Sequence, residues 1–550
     1  MGDEDQRVFA DATYGPPRTS LPLAGRTDVA GGKGRPACSA QPSMALDART
    51  VSVEAFRGGT SSSSSPAVNP APPSACGSRP RSFVHPPDHA GEGAPRPGPA
   101  ASVLLRIRGT HRRQLDVVVA VGGRSGARRS APYRVCVLAR TRSWQVRVIV
   151  TGMTKQVVVT ERRRLTAIRA AWLFDGVGSA LVANPMVVLD GAAIVGVEFG
   201  GTAPAGADVV DLAGATLLPG LVDTHVHLAF DASLDPVARL AARDDEAALA
   251  AMAEAGRASL RAGVTTVRDL GDRNYLSLLL RDRADQPTLV AAGPPITSPS
   301  GHCHFLGGVA EASAAGVRAA VRRHAERGVD VIKIMASGGT MTPGTRQECA
   351  QFDREVLRAA VDEAHRHGLP VTAHAHGTPA IADALAAGVD GMEHVTFWSA
   401  EGIDHRDDLL RAIVDQGVAV GATVGMVPVE GVAAPAQVAQ RLPGIIENHR
   451  RLHHLGARFV AGTDAGIGPV KPHGVLSWAP PMLRQVGLSA AESLRAITSV
   501  AAGVCGLAHR KGRIAPGYDA DLLVVDGDPL ADPAALRRVR AVCARGRWVV

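Results

Sequence analysis

No Cys-x-x-Cys pair occurs in this chain of 550 residues, and its seven cysteines (Cys38, Cys76, Cys136, Cys303, Cys349, Cys505 and Cys543) are odd in number and widely scattered. Such spacing supplies neither a disulfide framework nor a thiolate metal site, and a reducing cytoplasm is the expected compartment. The chain also lacks any run of about 18 or more apolar residues, so no membrane-spanning helix is expected, although 45% of its residues are hydrophobic. Its first residues, Met-Gly-Asp-Glu-Asp, do not follow the basic, apolar, small-residue order of a secretory signal. The length accommodates one barrel-sized domain with attachments and a large core.

The formal charge is +8, but it is unevenly placed: residues 1–152 hold 21 of the 60 Lys/Arg and 10 of the 52 Asp/Glu, a net +11, leaving the remainder at −3. The leading segment is rich in Pro, Ser, Gly and Arg, with serine at every position from 61 to 65 and a proline-dense stretch over 71–99. Such composition buries too little apolar area to offset chain entropy, so disorder is expected over 1–152. Two readings of it stand: a basic arm for polyanions, or a tail upstream of a start at Met153, where patterned sequence begins. The second is preferred, because the segment lacks interleaved aromatics for base stacking and no nucleic-acid module follows. The expected partner is therefore a small-molecule substrate, with neither nucleic acid nor membrane; homo-oligomerisation stays open.

Short β-like runs with turn signals begin at residue 157, over 165–174, 186–189, 193–198 and 208–212, and return over 512–526 and 539–550. These flanks are expected to pair into a small β-sandwich domain, its parts spanning 157–216 and 506–550. Between them, over 217–505, strand-like runs alternate with helical patterns: 217–228, 264–270, 288–292, 329–336, 371–376, 391–396, 418–424 and 458–463. One helical piece shows Val356, Leu357, Ala360, Val361 and Ala364 on one face behind Asp353, a suitable N-cap. Eight strand candidates separated by helices predict an α/β fold, a (β/α)8 TIM barrel.

Barrel chemistry sits at the C-terminal strand ends. The first candidate strand ends in His225 and His227; residues i and i+2 of a strand point to one side, so two neutral nitrogens can reach one ion. The fourth carries Lys333, the fifth His374 and His376, the sixth His394, and the eighth Asp464. A lone histidine in an apolar run is usually a packed core residue; the agreement of several placements favours a metal site. A lysine whose pKa is lowered by burial and neighbouring charge can add CO2. The resulting carbamate on Lys333 has two oxygens able to bridge two metals.

These residues resemble the metal-dependent amidohydrolase superfamily, in the carbamylated-lysine, two-metal branch that includes Xaa-Pro and Xaa-Arg/Lys dipeptidases, with imidazolonepropionase more distant. The resemblance spans roughly residues 160–550. It rests on Pro-Gly-Leu-Val-Asp-Thr-His-Val-His, Ile-Lys-Ile-Met-Ala-Ser-Gly-Gly, His-Ala-His-Gly, Glu-His, Gly-Thr-Asp-Ala-Gly and Pro-Gly-Tyr-Asp-Ala-Asp-Leu-Leu-Val-Val. It implies that His225 and His227 bind the more buried of two divalent ions; the imidazole and carboxylate donors suit zinc, and Mn, Fe or Co fit similar ligands. It further implies that Lys333 bridges, that His374 and His394 bind the second ion, and that Asp464 ligates the first ion and moves a proton. The activity implied is hydrolysis of a C–N amide or peptide-like bond, in the form of a dipeptidase. The alternative is a one-metal cyclic-amide hydrolase or deaminase, for which no bridging lysine is needed. His302, His304, His376 and Arg346 are candidate substrate contacts, each balanced against an ordinary surface role, as is His473. His365, His367, His453 and His454 lie in helical patterns and are read as structural.

Overall fold

A computed structural model describes residues 164–549 throughout and, before them, the backbone of five strands between residues 101 and 160. The chain divides into two compact units, Met1–Arg140 with Val148–Val158, and Thr141–Arg147 with Val159–Val550. Within the stretch where the sequence suggests disorder, Ala101–Arg108, Gln114–Val121 and Cys136–Val137 form an antiparallel sheet. Gln145–Thr151 and Thr154–Thr160 form a separate two-stranded one. Their β-branched alternation, as in Gln-Val-Arg-Val-Ile-Val-Thr, suits a strand. The rest of that expectation lies outside the described residues.

In the larger unit, eight short strands occupy the eight predicted places: Leu221–Val226 (β1), Val264–Asp269 (β2), Thr288–Ala291 (β3), Ile332–Met335 (β4), Val371–Gly377 (β5), Gly391–Trp398 (β6), Ala419–Thr423 (β7) and Phe459–Gly462 (β8). All recorded pairings among them are parallel. Parallel strands are covered on both faces, which is why they read as continuous apolar runs. Helices separate most of them; Asp353 caps Arg354–Arg366 by accepting from the Val356 N–H, and the predicted apolar stripe is buried.

The strands do not form one continuous ladder. They lie in a sheet of three (β1–β3) and a sheet of five (β4–β8), so the closed hydrogen-bonded barrel expected from the strand count is corrected to two sheets meeting at two seams. At the first seam Gly293-Pro294-Pro295 follows β3, and proline has no N–H to give a neighbour. Contact resumes one residue later, where Ile296 N–H donates to Lys333 O at 2.8 Å and Met335 N–H to Ile296 O at 2.8 Å. At the second seam Asp464 takes a left-handed φ of 59°. There Asp464 N–H reaches His225 O at 2.7 Å and His227 N–H reaches Ala465 O at 3.0 Å. The seams thus run through the backbone of the residues singled out for chemistry.

Strands of the two flanking segments join one hydrogen-bonded network of eight, with Ala215–Pro219 antiparallel to Leu522–Asp526, and its edge folds back on the C-terminal flank, where Ile194 N–H donates to Tyr518 O and Ala520 N–H to Ala192 O, both at 2.8 Å. One apolar cluster, including Ile168, Val187, Leu217, Leu522, Val524 and Cys543, serves strands from both flanks. A bulge between Leu212 and Thr216 interrupts the long strand Asp208–Pro219. That strand runs through Gly220 directly into β1. A Cβ on Gly220 would meet Thr265 Oγ1 at 2.1 Å, so the close approach of the two strands requires glycine.

Candidate metal centre

Two groups of side chains at the C-terminal strand ends bring ligand atoms to within 4.8 Å of one another: His225, His227 and Asp464 in one, His374, His376 and His394 in the other. In the first, His225 Nδ1–H donates to the Glu393 carboxylate at 3.1 Å and His227 Nδ1–H to the Gly271 carbonyl at 3.1 Å. Those partners only accept, so both tautomers are fixed and both Nε2 atoms carry lone pairs. The two Nε2 atoms lie 3.2 Å apart and face Asp464 Oδ1 at 3.5 and 3.2 Å. In these tautomers two imidazole lone pairs and a carboxylate face one another, an arrangement that a cation between them relieves.

Burial keeps the ring of His225 neutral, lowering its pKa to about 4, with the nearby Lys333 charge acting in the same sense.

In the second group His374 Nε2–H donates to the Gly338 carbonyl at 3.1 Å, leaving its Nδ1 lone pair turned toward His394 Nε2 at 3.0 Å. His394 Nδ1 meets the Thr423 hydroxyl at 3.0 Å. His376 stacks on His394, ring centroids 4.2 Å apart and planes within 18°. The Thr396 hydroxyl donates to His376 O, so it accepts from His376 Nδ1–H at 3.0 Å, and His376 Nε2 is left with a lone pair. Burial lowers His376 to about 3 and drives His374 and His394 well below the ordinary imidazole value, the neighbouring imidazoles adding to the effect.

Lys333 is buried, its Nζ 3.5 Å from His225 Nε2. Burial lowers its pKa to about 8, against the pull of Glu393 and Asp464. Its amine is therefore neutral in an appreciable fraction of molecules near neutral pH.

These groups line a cavity of about 60 Å³ with Phe230, Cys303, Met335, Gly339, Met341 and Ile467. Of the predicted substrate contacts, His302 and His376 line it. The structure does not bring in the other two. His304 is exposed, its Nδ1 on the Gly301 carbonyl, and Arg346 is exposed, facing Glu348 and Cys349. His473 lies beside the site with Nε2 on the Phe230 carbonyl at 2.8 Å. His365 reaches Asp390 and His453 approaches Glu492, both away from the cavity.

Sequence reasoning did not assign the supporting layer. Glu393, fully buried, accepts from Arg268 at 2.8 Å and Thr372 at 2.7 Å as well as from His225. Asp223 accepts from the Thr463 N–H and hydroxyl at 2.9 and 2.6 Å. Lys471 donates to the Thr463 carbonyl at 2.6 Å and the Thr423 carbonyl at 3.3 Å, fixing the peptide that leads into Asp464. Glu393 sits in the Glu-His pair and Asp223 in the opening motif, which were the available signals; Lys471 had none.

Comparison with known proteins agrees with this geometry. The amidohydrolase family model matches residues 216–549. An uncharacterized protein of Mycobacterium tuberculosis is 30% identical over 359 residues, 62% of this chain and 87% of that protein. Ochratoxinase of Aspergillus niger is 28% identical over 236 residues, 41% of this chain and 47% of that enzyme. The crystal structure of a Xaa-Pro dipeptidase with methionine in its active site is similar with a TM-score of 0.62 at 26% identity, covering 70% of this chain and 99% of that one.

Proposed function

The chain belongs to the amidohydrolase family and is a hydrolase of carbon–nitrogen bonds, and from that premise we propose that it cleaves the amide or peptide-like bond of a small substrate at a two-metal centre. The observation that carries this is the convergence of His225 Nε2 and His227 Nε2 on the Asp464 carboxylate. The donor set fits divalent cations, zinc foremost. His225, His227 and Asp464 would hold one ion and His374 and His394 the other, with His376 alongside. Lys333, as its carbamate, would join them. When bound, such ions acidify water and polarise a carbonyl.

The remaining work falls to the chain's own groups. Glu393 and the Gly271 carbonyl hold the two imidazoles in the tautomers that present Nε2. A free oxygen of Asp464 takes the proton of the attacking water and returns it to the leaving nitrogen, base and then acid. His302, its Nε2 toward the cavity, orients the substrate carbonyl. The central position of Lys333 supports the two-ion form over the single-ion cyclic-amide hydrolase or deaminase. The similarity to a Xaa-Pro dipeptidase supports peptide-like bonds as the first to be tried.

The test is metal analysis of purified protein together with a screen of dipeptides, N-acyl amines and cyclic amides. About two ions per chain, amide turnover, and a requirement for bicarbonate when chelated protein is reloaded are expected. One ion per chain with ammonia released from a cyclic or amino-substituted substrate would replace this reading with the single-ion one.

A further inference from the structure

Within that reading, we propose that the site selects an uncharged amide bearing an apolar group over a substrate with a free carboxylate. Phe230, Cys303, Met335, Met341 and Ile467 line the cavity beside the metal-centre residues. Phe230 is backed by Phe305, ring centroids 6.3 Å apart, so its ring presents a braced apolar surface.

The cations near the cavity are already placed elsewhere. Among the described lining residues Lys333 alone is a Lys or Arg; it sits on the floor beside His225, and as the carbamate of the proposed reading it carries no positive charge. Lys471 is committed to two backbone carbonyls, and Arg346 turns outward to Glu348. A carboxylate held against the apolar residues would lose its hydration and meet no guanidinium or ammonium in exchange. Positive charge brought by bound metal ions lies at the floor, where the scissile carbonyl must be, several bonds from the carboxylate of an amino-acid leaving group.

The polar lining suits a neutral carbonyl as well. The Thr342 hydroxyl oxygen already accepts from the Cys303 N–H at 2.9 Å, so its own hydrogen is free to go to His302 Nδ1 at 3.1 Å. In the tautomer that accepts this hydrogen, His302 Nε2–H is a neutral donor. The ring reaches this place because residue 339 is glycine; a Cβ there would meet His302 Nε2 at 2.4 Å. One neutral donor beside an apolar surface is the complement of an amide carbonyl with an alkyl or aryl neighbour.

The test uses N-acetylphenethylamine and N-acetylphenylalanine, which share the scissile amide and the ring and differ by one carboxylate. Both are measured on the metal-loaded full chain for affinity by calorimetry and for turnover. The uncharged compound is expected to bind at least about tenfold more tightly and to be the faster substrate. Met341→Arg, which places a guanidinium in the lining, should narrow or invert the ratio. Equal or tighter binding of the carboxylate by the wild-type chain overturns the inference. An intact affinity ratio with turnover of neither compound would support the selectivity while counting against hydrolysis of such amides, so the two readings fail separately.

Discussion

Glu393→Gln is the substitution whose consequences can be worked furthest from the structure. The carboxylate is 1% exposed; one oxygen accepts from Arg268 and Thr372, the other from His225 Nδ1–H. Burial alone would raise its pKa, yet the Arg268 charge and His225 hold it well below the ordinary range. Glutamine keeps the shape and removes the charge, leaving the Arg268 guanidinium, 5% exposed, without its counter-ion. Breaking a buried pair from one side costs about 3–5 kcal/mol, a large share of the roughly 5–15 kcal/mol that stabilises a folded domain. At about 1 °C or slightly more per kcal/mol for a unit of this size, the melting temperature should fall by about 4–6 °C. Separately, the wrong His225 tautomer becomes accessible, and loss of such an orienting partner typically weakens metal binding by roughly 10–100-fold. Calorimetric melting reads the first effect, and competition with a chelator reads the second. The double variant Glu393→Gln/Arg268→Met removes the orphaned charge, so it should regain most of the stability and none of the metal affinity. A single variant melting within about 1 °C of the wild type, or a double variant no more stable than the single one, would refute the assignment of that cost to an unpaired buried charge.

Other perturbations follow from the same geometry. Gly462→Ala would put a Cβ 2.3 Å from His225 Cβ and 3.0 Å from its backbone nitrogen; neither neighbour is a flexible tip, so bound metal should drop from about two ions to one, with a stability loss of about 1–3 kcal/mol by melting. Lys333→Met fills the same buried space without an amine, so the fold should survive by circular dichroism while the second ion and any bicarbonate requirement disappear; retention of both ions would count against a bridging role. Lys471→Met leaves the Thr463 and Thr423 carbonyls without their donor; a fall in kcat with metal content unchanged is expected, and unaltered kcat would remove Lys471 from the positioning of Asp464. In the flanking sheet, burial would raise Asp519, but Arg510 and Lys511, at 2.7 and 2.9 Å, hold it below its ordinary value of 3.8. A carboxyl depressed by folding stabilises fully above its unfolded pKa and loses that contribution as pH falls through the folded one. The melting difference between wild type and Asp519→Asn should therefore be constant above about pH 5 and shrink below about pH 4; a difference that grows on acidification would reverse the sign.

The barrel strands were legible because burial on both faces writes them as uninterrupted apolar runs, and β2 begins at the predicted residue and ends within one. The histidines of β1 were legible for a second reason: a two-residue spacing survives any uncertainty in where a strand starts. The seams were not legible. Pro294 and Pro295 stand openly in the sequence, but that they cost a ladder between β3 and β4 depends on which strand lies next to which, a matter of register across the fold. His304 and Arg346 are exposed, and a polar residue in a glycine-rich loop reads the same in the sequence whether the loop turns inward or out.

Glu393 marks the deeper limit. Alternation along a strand sends adjacent residues to opposite faces, so a reading that aims His394 into the barrel must aim Glu393 away. Both in fact turn inward, Glu393 to His225 and His394 to His374. The backbone permits it by leaving the extended region, with φ of 73° at His394 and 51° at Val395. For a β-branched residue such a conformation is strained and persists only where surrounding contacts dictate it. Here His449, buried on the helix Ala436–His454, places Nε2 3.1 Å from the His394 carbonyl and 3.2 Å from that of Val395. Asp464, left-handed in the same way, is held by the His225 carbonyl, and its preceding peptide by Asp223 and Lys471. The two non-glycine ligand positions at which strand geometry breaks are thus the two that distant side chains clamp, so replacing His449 or Lys471 should shift the geometry of the centre although neither side chain faces it.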